Sequence, residues 1–232
     1  MLKKFDKKKT LFLILFVILG IIAFQIPFTH IIGSNSKFTG FDFISPITGG
    51  FLGSWIGAIA VAIVQIINTI IKKAPIEAIT FLRFLPAICA AIYFGTKSKY
   101  VNLIPLLCIA LFIVHPIGRT VWYYPIAFWF VPVLCSFGKF RLTLNALGAT
   151  FTAHAVGSTI FLYAFALPAS VWKSLMTIVP VERLTFAIGI VVSYLVINNL
   201  LNYLVKKFNI KYLESLVNDR LIITSKTLKT NI

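Results

Sequence analysis

Residues 146–159 read Ala-Leu-Gly-Ala-Thr-Phe-Thr-Ala-His-Ala-Val-Gly-Ser-Thr. They lie inside an apolar segment, residues 142–167, long enough to cross a bilayer, whose hydrocarbon core takes about 20 residues of helix. Yet the stretch carries one histidine, three threonines, one serine and two glycines. Polar groups in hydrocarbon cost free energy unless something pairs with them. This helix is therefore predicted to face other helices or a cavity rather than lipid, with the rest of the chain as a scaffold around it. At 3.6 residues per turn, Thr150, His154, Gly157, Ser158 and Phe161 share one face, with Thr152 and Thr159 to one side. Two readings of that face are open. A histidine among hydroxyls, with a glycine making room, suits a polar ligand. Alternatively, Thr and Ser bond their own helix carbonyls and His154 links two helices.

Composition sets the class. The chain is 59% hydrophobic and has only six acidic residues among 232, too little charge for a soluble domain of this size. The length holds roughly six spans with short loops, one domain in all, and no soluble ATPase or catalytic domain on this stretch. The net charge of +16 could suggest nucleic acid, but its placement argues against that. Lys3, Lys4, Lys7, Lys8 and Lys9 precede the first span, and Lys206, Lys207, Lys211, Arg220, Lys226 and Lys229 follow the last. Basic residues at span ends hold those ends on the cytoplasmic side, against anionic lipid. The expected divisions are a basic cytoplasmic start at 1–10, a transmembrane bundle at 11–205 and a basic cytoplasmic tail at 206–232 containing a surface helix. Residues 1–28 are basic then apolar, like a signal peptide, but no small-x-small cleavage site follows, so they read as a retained span.

Apolar segments fall at residues 11–28, 47–71, 74–95, 101–117, 121–137, 142–167 and 184–205. Seven crossings would put the two basic ends on opposite sides. The predicted fold is therefore an all-α membrane protein of six transmembrane helices plus one re-entrant or seventh apolar segment, both termini cytoplasmic. The choice of 74–95 as the re-entrant piece puts Lys72, Lys73, Lys97, Lys99, Lys139 and Arg141 inside, and Arg119 outside. Loops 29–43 and 168–183 are then external, and the first, with Gly33-Ser34-Asn35-Ser36, could cover a site or simply connect. Gly49, Gly53 and Gly57 recur every four residues of span two, a spacing that lets helices approach closely. Arg83, mid-segment, needs a cavity, a carboxylate or an interface. Arg119, beside Trp122, Tyr123 and Tyr124, reads either as a ligand contact or as part of an interfacial aromatic belt.

Several chemistries lack their residues. The sequence has no GxxxxGK[ST], no HExxH and no GxSxG. Carboxylates are nearly absent from the spans, which weighs against a proton- or sodium-coupled carrier. His30, His115 and His154 are too scattered in sequence to argue a metal, and Cys89, Cys108 and Cys135 stand singly. No cofactor, metal or catalytic residue is expected.

Phe41-Asp42-Phe43-Ile44-Ser45-Pro46-Ile47, followed by Gly49-Gly50-Phe51-Leu52-Gly53-Ser54-Trp55-Ile56-Gly57-Ala58, resembles the second helix of the substrate-binding (S) components of energy-coupling factor transporters. The pattern-level likeness extends over about residues 10–205. The resemblance implies a small membrane protein that captures a vitamin or similar small molecule outside and relies on separate transmembrane and ATPase subunits. Where that family docks its partner through paired small residues in helix one, this chain has Gly20 and Ala23, three apart. The ligand would sit among the first external loop, the 142–167 helix and the 168–183 loop. His154, Ser158, Thr150, Phe161, Arg119 and Trp172 are the candidate contacts, and Gly49, Gly53 and Gly57 the candidate packing positions. Two alternatives stand beside this: a structural or assembly protein without a ligand, and a lipid-modifying enzyme with His154 or His115 as base and Glu182 or Asp42 as carboxylate.

Overall fold

The computed structural model describes residues 7–30, 37–138 and 141–223. Helix α1 (Lys7–Phe24) leads into a two-stranded antiparallel hairpin, β1 (Pro27–His30) and β2 (Lys37–Thr39), with Thr29 opposite Phe38. Two short helices, α2 (Phe41–Ile44) and α3 (Ile47–Leu52), precede α4 (Ser54–Ile71). Then come α5 (Ala78–Leu82), α6 (Leu85–Gly95), α7 (Leu103–Val114), α8 (Pro116–Thr120), α9 (Tyr123–Trp129) and α10 (Val131–Cys135). The long helices α11 (Arg141–Phe165) and α12 (Ala169–Phe208) complete the bundle. Three stretches are long and apolar enough to cross a membrane: Ser54–Ile71, Ala78–Gly95 and Ala169–Phe208. Helix α11 has the length, but its threonines, serine and histidine lower its hydropathy.

Glycine decides the path between α1 and α4. Gly53 has φ +85°, a conformation that a side chain disfavours. It folds α4 back on α3, so that Thr48 Oγ1 donates to Gly57 O at 3.3 Å. What reads as one apolar span, 47–71, is thus two helices running opposite ways. Phe51 packs on Phe12 near the start of α1 (5.3 Å). At the other end of α4, Gln25 Nε2 donates to Asn68 Oδ1 at 3.4 Å and the Lys72 ammonium lies 5.9 Å from the Phe24 ring. Helix α4 therefore runs parallel to α1, and Lys72 stands at the hairpin end. The charge pattern had placed Lys72 with the termini; the extra reversal at Gly53 moves it to the opposite end. Gly33 to Ser36 of the proposed cover, and Lys139, lie outside the described residues.

The 74–95 segment also differs from its expected re-entrant form. The two helices α5 and α6 run as one apolar stretch of 18 residues. Pro86 does not interrupt it, because it sits in the first turn of α6, where its missing N–H has no helical partner anyway. The 168–183 region, expected as a loop, belongs to α12. Pro180 removes one N–H there without ending the helix. At 40 residues α12 is about 60 Å long, and it stops at Asn209, in the left-handed conformation that asparagine tolerates at helix ends. The tail forms two 3-10 turns, Lys211–Leu216 and Asp219–Leu221, rather than a surface helix. Two neighbouring amides hold it. Asn198 pairs with the backbone of Asn218, and Asn199 with Leu221 O and Ile223 N.

Helix α11 is the centre of the bundle, packed antiparallel on α6. Asn145 Nδ2 donates to Phe94 O at 3.3 Å, the Tyr93 ring fills the space a Gly148 side chain would take, and Pro86 lies against Gly157. Tyr93 continues the link by donating to Pro132 O on α10. Outward faces are apolar in stripes: Val181, Leu184, Ile188, Val192, Val196 and Leu200 on α12, and Ile14, Ile18 and Ile22 on α1.

The stripe residues Gly49 and Gly57 are spent inside the bundle. A Cβ on Gly49 would overlap the Ala91 carbonyl, and one on Gly57 would meet Gly49 backbone at 2.6 Å, whereas Gly53 has nothing within 4 Å. Gly20, in turn, packs against Val64 and Phe41. Gly49→Ala should therefore destabilise by about 1–3 kcal/mol or more, the range for overpacking. Gly157→Ala, whose Cβ would meet only Pro86 at 3.6 Å, should leave the thermal midpoint of the detergent-solubilised protein unchanged. Equal midpoints for the two variants would contradict this packing.

Candidate functional site

A cavity of about 480 Å³ opens at the hairpin end. The α11 face that periodicity picks out lines it in full: Thr150, His154, Gly157, Ser158 and Phe161 all border the space. Helix α12 adds Trp172, Glu182, Arg183 and Phe186. The hairpin and α2 close one side with Phe38, Thr39 and Asp42, and the ends of α4 and α5 contribute Lys72 and Arg83. Five of the six sequence-chosen contacts thus come together, but Arg119 does not. Its helix α8 is a short turn whose Arg119 and Thr120 face outwards, so the residue is exposed and apart from the cavity.

The polar groups of α11 divide by what they bond. Thr152 and Thr159 are buried and donate to the carbonyls of Gly148 and Ala155, each at 2.8 Å. They are satisfied within their own helix. Thr150 instead accepts from Arg183 Nη1 at 3.3 Å, linking α11 to α12. His154 Nε2 lies 2.9 Å from the Tyr124 hydroxyl, which also meets Ser158. Trp172 is 1% exposed and donates its indole N–H to Leu167 O at 3.0 Å, so its ring is fixed as a wall. Arg83 reaches the rim, 5.9 Å from the Phe161 ring and 5.7 Å from Phe165.

Arg183 is not among the six selected contacts, although with Arg119 and Lys173 it is one of the basic residues that the sequence places near the outer face, where a neutral or anionic ligand or interface anchoring explains them equally well. It is 3% exposed, with Phe186 at 4.5 Å and Phe38 at 5.0 Å from the guanidinium carbon. Its Nη2 lies 2.8 Å from Glu182 Oε2, a close ion pair whose angles do not make a hydrogen bond, and Nε has no partner. In sequence Arg183 stands at the start of the 184–205 apolar segment, beside Glu182, so its burial is visible only once 168–183 is helical.

Asp42 sits in the cap between the hairpin and α3. Its Oδ2 accepts from Thr39 N at 2.7 Å. It is half-buried and borders the cavity. Neither carboxylate hydrogen-bonds to His154: Glu182 is beside Arg183 and Asp42 is held by Thr39. His115, the other candidate base, caps α8 by accepting from Ile117 N at 3.3 Å and packs on Tyr163. Among the described residues no three His, Cys, Asp or Glu side chains gather to hold a metal.

No family model, no curated protein and no solved structure matches the chain. The cavity is therefore interpreted from its own chemistry.

Proposed function

We propose that this chain is a multi-pass protein of the cell membrane that binds a small solute in the cavity bordered by α11 and α12. It acts as the binding subunit of a transporter and depends on separate transmembrane and ATPase subunits for energy. The observation that carries the reading is the convergence of His154, Ser158, Thr150, Phe161 and Trp172 on one space of about 480 Å³. That volume lies within the range of small-molecule sites, and its mixture of aromatic walls with a few placed polar groups is their usual make-up. Thr152 and Thr159 bond only carbonyls of their own helix, whereas Thr150, His154 and Ser158, each with a protein partner, also border the cavity.

Several further features support membrane placement and sidedness. Regularly spaced exposed isoleucine, leucine and valine on α1 and α12 suit hydrocarbon. The tail turn Lys211–Leu216 packs near α1 and α12, so the basic end of the chain and the start of the bundle share one end. With that end cytoplasmic, the cavity faces outwards. The passage count becomes eight among the described residues: α1, α2–α3, α4, α5–α6, α7, α9–α10, α11 and α12. An even number keeps both ends together, as the charge pattern requires. The absence of a phosphate-binding loop in this sequence fits a subunit energised by others.

Native mass spectrometry of the full chain, released from mild detergent, should show a retained small molecule. Ser158→Trp, which fills the cavity, should remove it. Loss of uptake in cells carrying the same variant should accompany the loss of bound mass. An empty wild-type protein, with uptake unaffected by Ser158→Trp, would favour a purely structural role.

A further inference from the structure

We propose that the solute carries an anionic group, a carboxylate or a phosphate, recognised by the Arg183 guanidinium through Nε and Nη2, which have no hydrogen-bond partner. This rests on the solute-binding reading above and specifies its chemistry.

Arg183 presents five N–H donors in a planar fork. One hand, Nη1, is anchored to Thr150 Oγ1 at 3.3 Å. The other edge is Nε with Nη2, the side whose two parallel N–H bonds match a carboxylate or phosphate oxygen pair. On that edge Nε has no partner and Nη2 has only the misaligned Glu182 oxygen at 2.8 Å. Buried donors are nearly always satisfied, and these belong to a side chain that is 3% exposed and lines the cavity. The rings of Phe38 and Phe186 lie over the guanidinium at 5.0 and 4.5 Å. The two rings are 4.9 Å apart, so they pack on one side of the guanidinium and shield that side from water.

Charge selects between ligand classes. Four cations border the cavity, Lys37, Lys72, Arg83 and Arg183, against two carboxylates, Asp42 and Glu182. A cationic solute would meet that excess and find Glu182 already beside Arg183 and Asp42 already accepting from Thr39. A neutral carbonyl could take one N–H bond, but charge-assisted pairs are roughly twice as strong. The body of the solute then lies towards His154 and Trp172. His154 is one turn along α11 from Thr150, about 6 Å, so the anionic head and a hydrogen-bonding body are held apart by roughly that distance.

Three probes share one ring and differ only in charge: indole-3-acetate, indole-3-acetamide and tryptamine. Phenyl phosphate adds the phosphate form, and phosphatidylglycerol in mixed micelles tests whether a lipid head group is the source of the anion. Thermal unfolding of the full-length detergent-solubilised protein is followed with each. Indole-3-acetate or phenyl phosphate should raise the midpoint by about 2–4 °C at saturating concentration, the acetamide and tryptamine by less than 1 °C. Arg183→Gln should abolish the shift, and Arg183→Lys, which keeps the charge and the fold but loses the fork, should reduce it at least twofold. Arg119→Gln, outside the cavity, should leave it intact.

An anion shift that survives both Arg183 variants overturns the assignment, as does an equal shift by the acetamide or tryptamine. In that last case solute binding stands and only its charge preference falls. Stabilisation by phosphatidylglycerol alone overturns a soluble solute in favour of lipid. No shift with any of these compounds overturns the anion assignment, while the solute-binding reading stands or falls on the retained mass.

Discussion

One hydrogen bond, from Arg183 on α12 to Thr150 on α11, joins the two longest helices at the edge of the cavity. A guanidinium cannot shed its proton, so burying it commits the surrounding fold to supply partners. Here Thr150, Glu182 and two phenylalanine rings surround it, yet Nε has no partner and Nη2 only the misaligned Glu182 oxygen. The remaining architecture accommodates that commitment. The hairpin brings Phe38 and, through α2, Asp42 across the bundle. The α11 glycines at 148 and 157 leave room for Tyr93 on one turn and for the cavity on another.

A second constraint is the close contact of backbone with backbone at Gly49, Gly57 and Gly95. A Cβ on Gly95 would overlap the Gly49 carbonyl, just as one on Gly49 would overlap that of Ala91. In a bundle whose outer faces are apolar, association cannot draw on a contrast between core and surroundings, and contact distance matters instead. The reversal at Gly53 makes the contact possible by laying α3 against both α4 and α6. The cavity and the tight packing therefore occupy opposite ends of the same helices: glycines close the bundle near the tail, and larger polar and aromatic residues hold it open near the hairpin.

The polar face of α11 was legible because helical geometry is local. Thr150, His154, Gly157, Ser158 and Phe161 must share a face once the segment is helical, and all five border one space. Arg119 looked similar by composition, set among aromatics, but α8 turns it outwards. The reversal at Gly53 was not legible. The apolar run 47–71 contains no charge or proline at the break, and glycines at 49, 53 and 57 also fit an uninterrupted helix. The reversal separates α3 from α4 and puts Lys72 at the hairpin end of the bundle. Pro86 and Pro180 end no segment: one lies in a first turn and the other inside a continuous helix.

The sequence by itself determined that the chain is helical and predominantly apolar, and that one helix carries a polar face. Those properties follow from composition and from a 3.6-residue period, which neighbours in sequence settle among themselves. The tertiary structure alone decided that Arg183, 33 residues from Thr150, shares that face, that Asp42 and Phe38 reach it from the hairpin, and that the space between them is a cavity rather than packed side chains. Such meetings depend on how far-separated segments stack and on a single backbone turn at Gly53, and neither leaves a local pattern in the residues that meet.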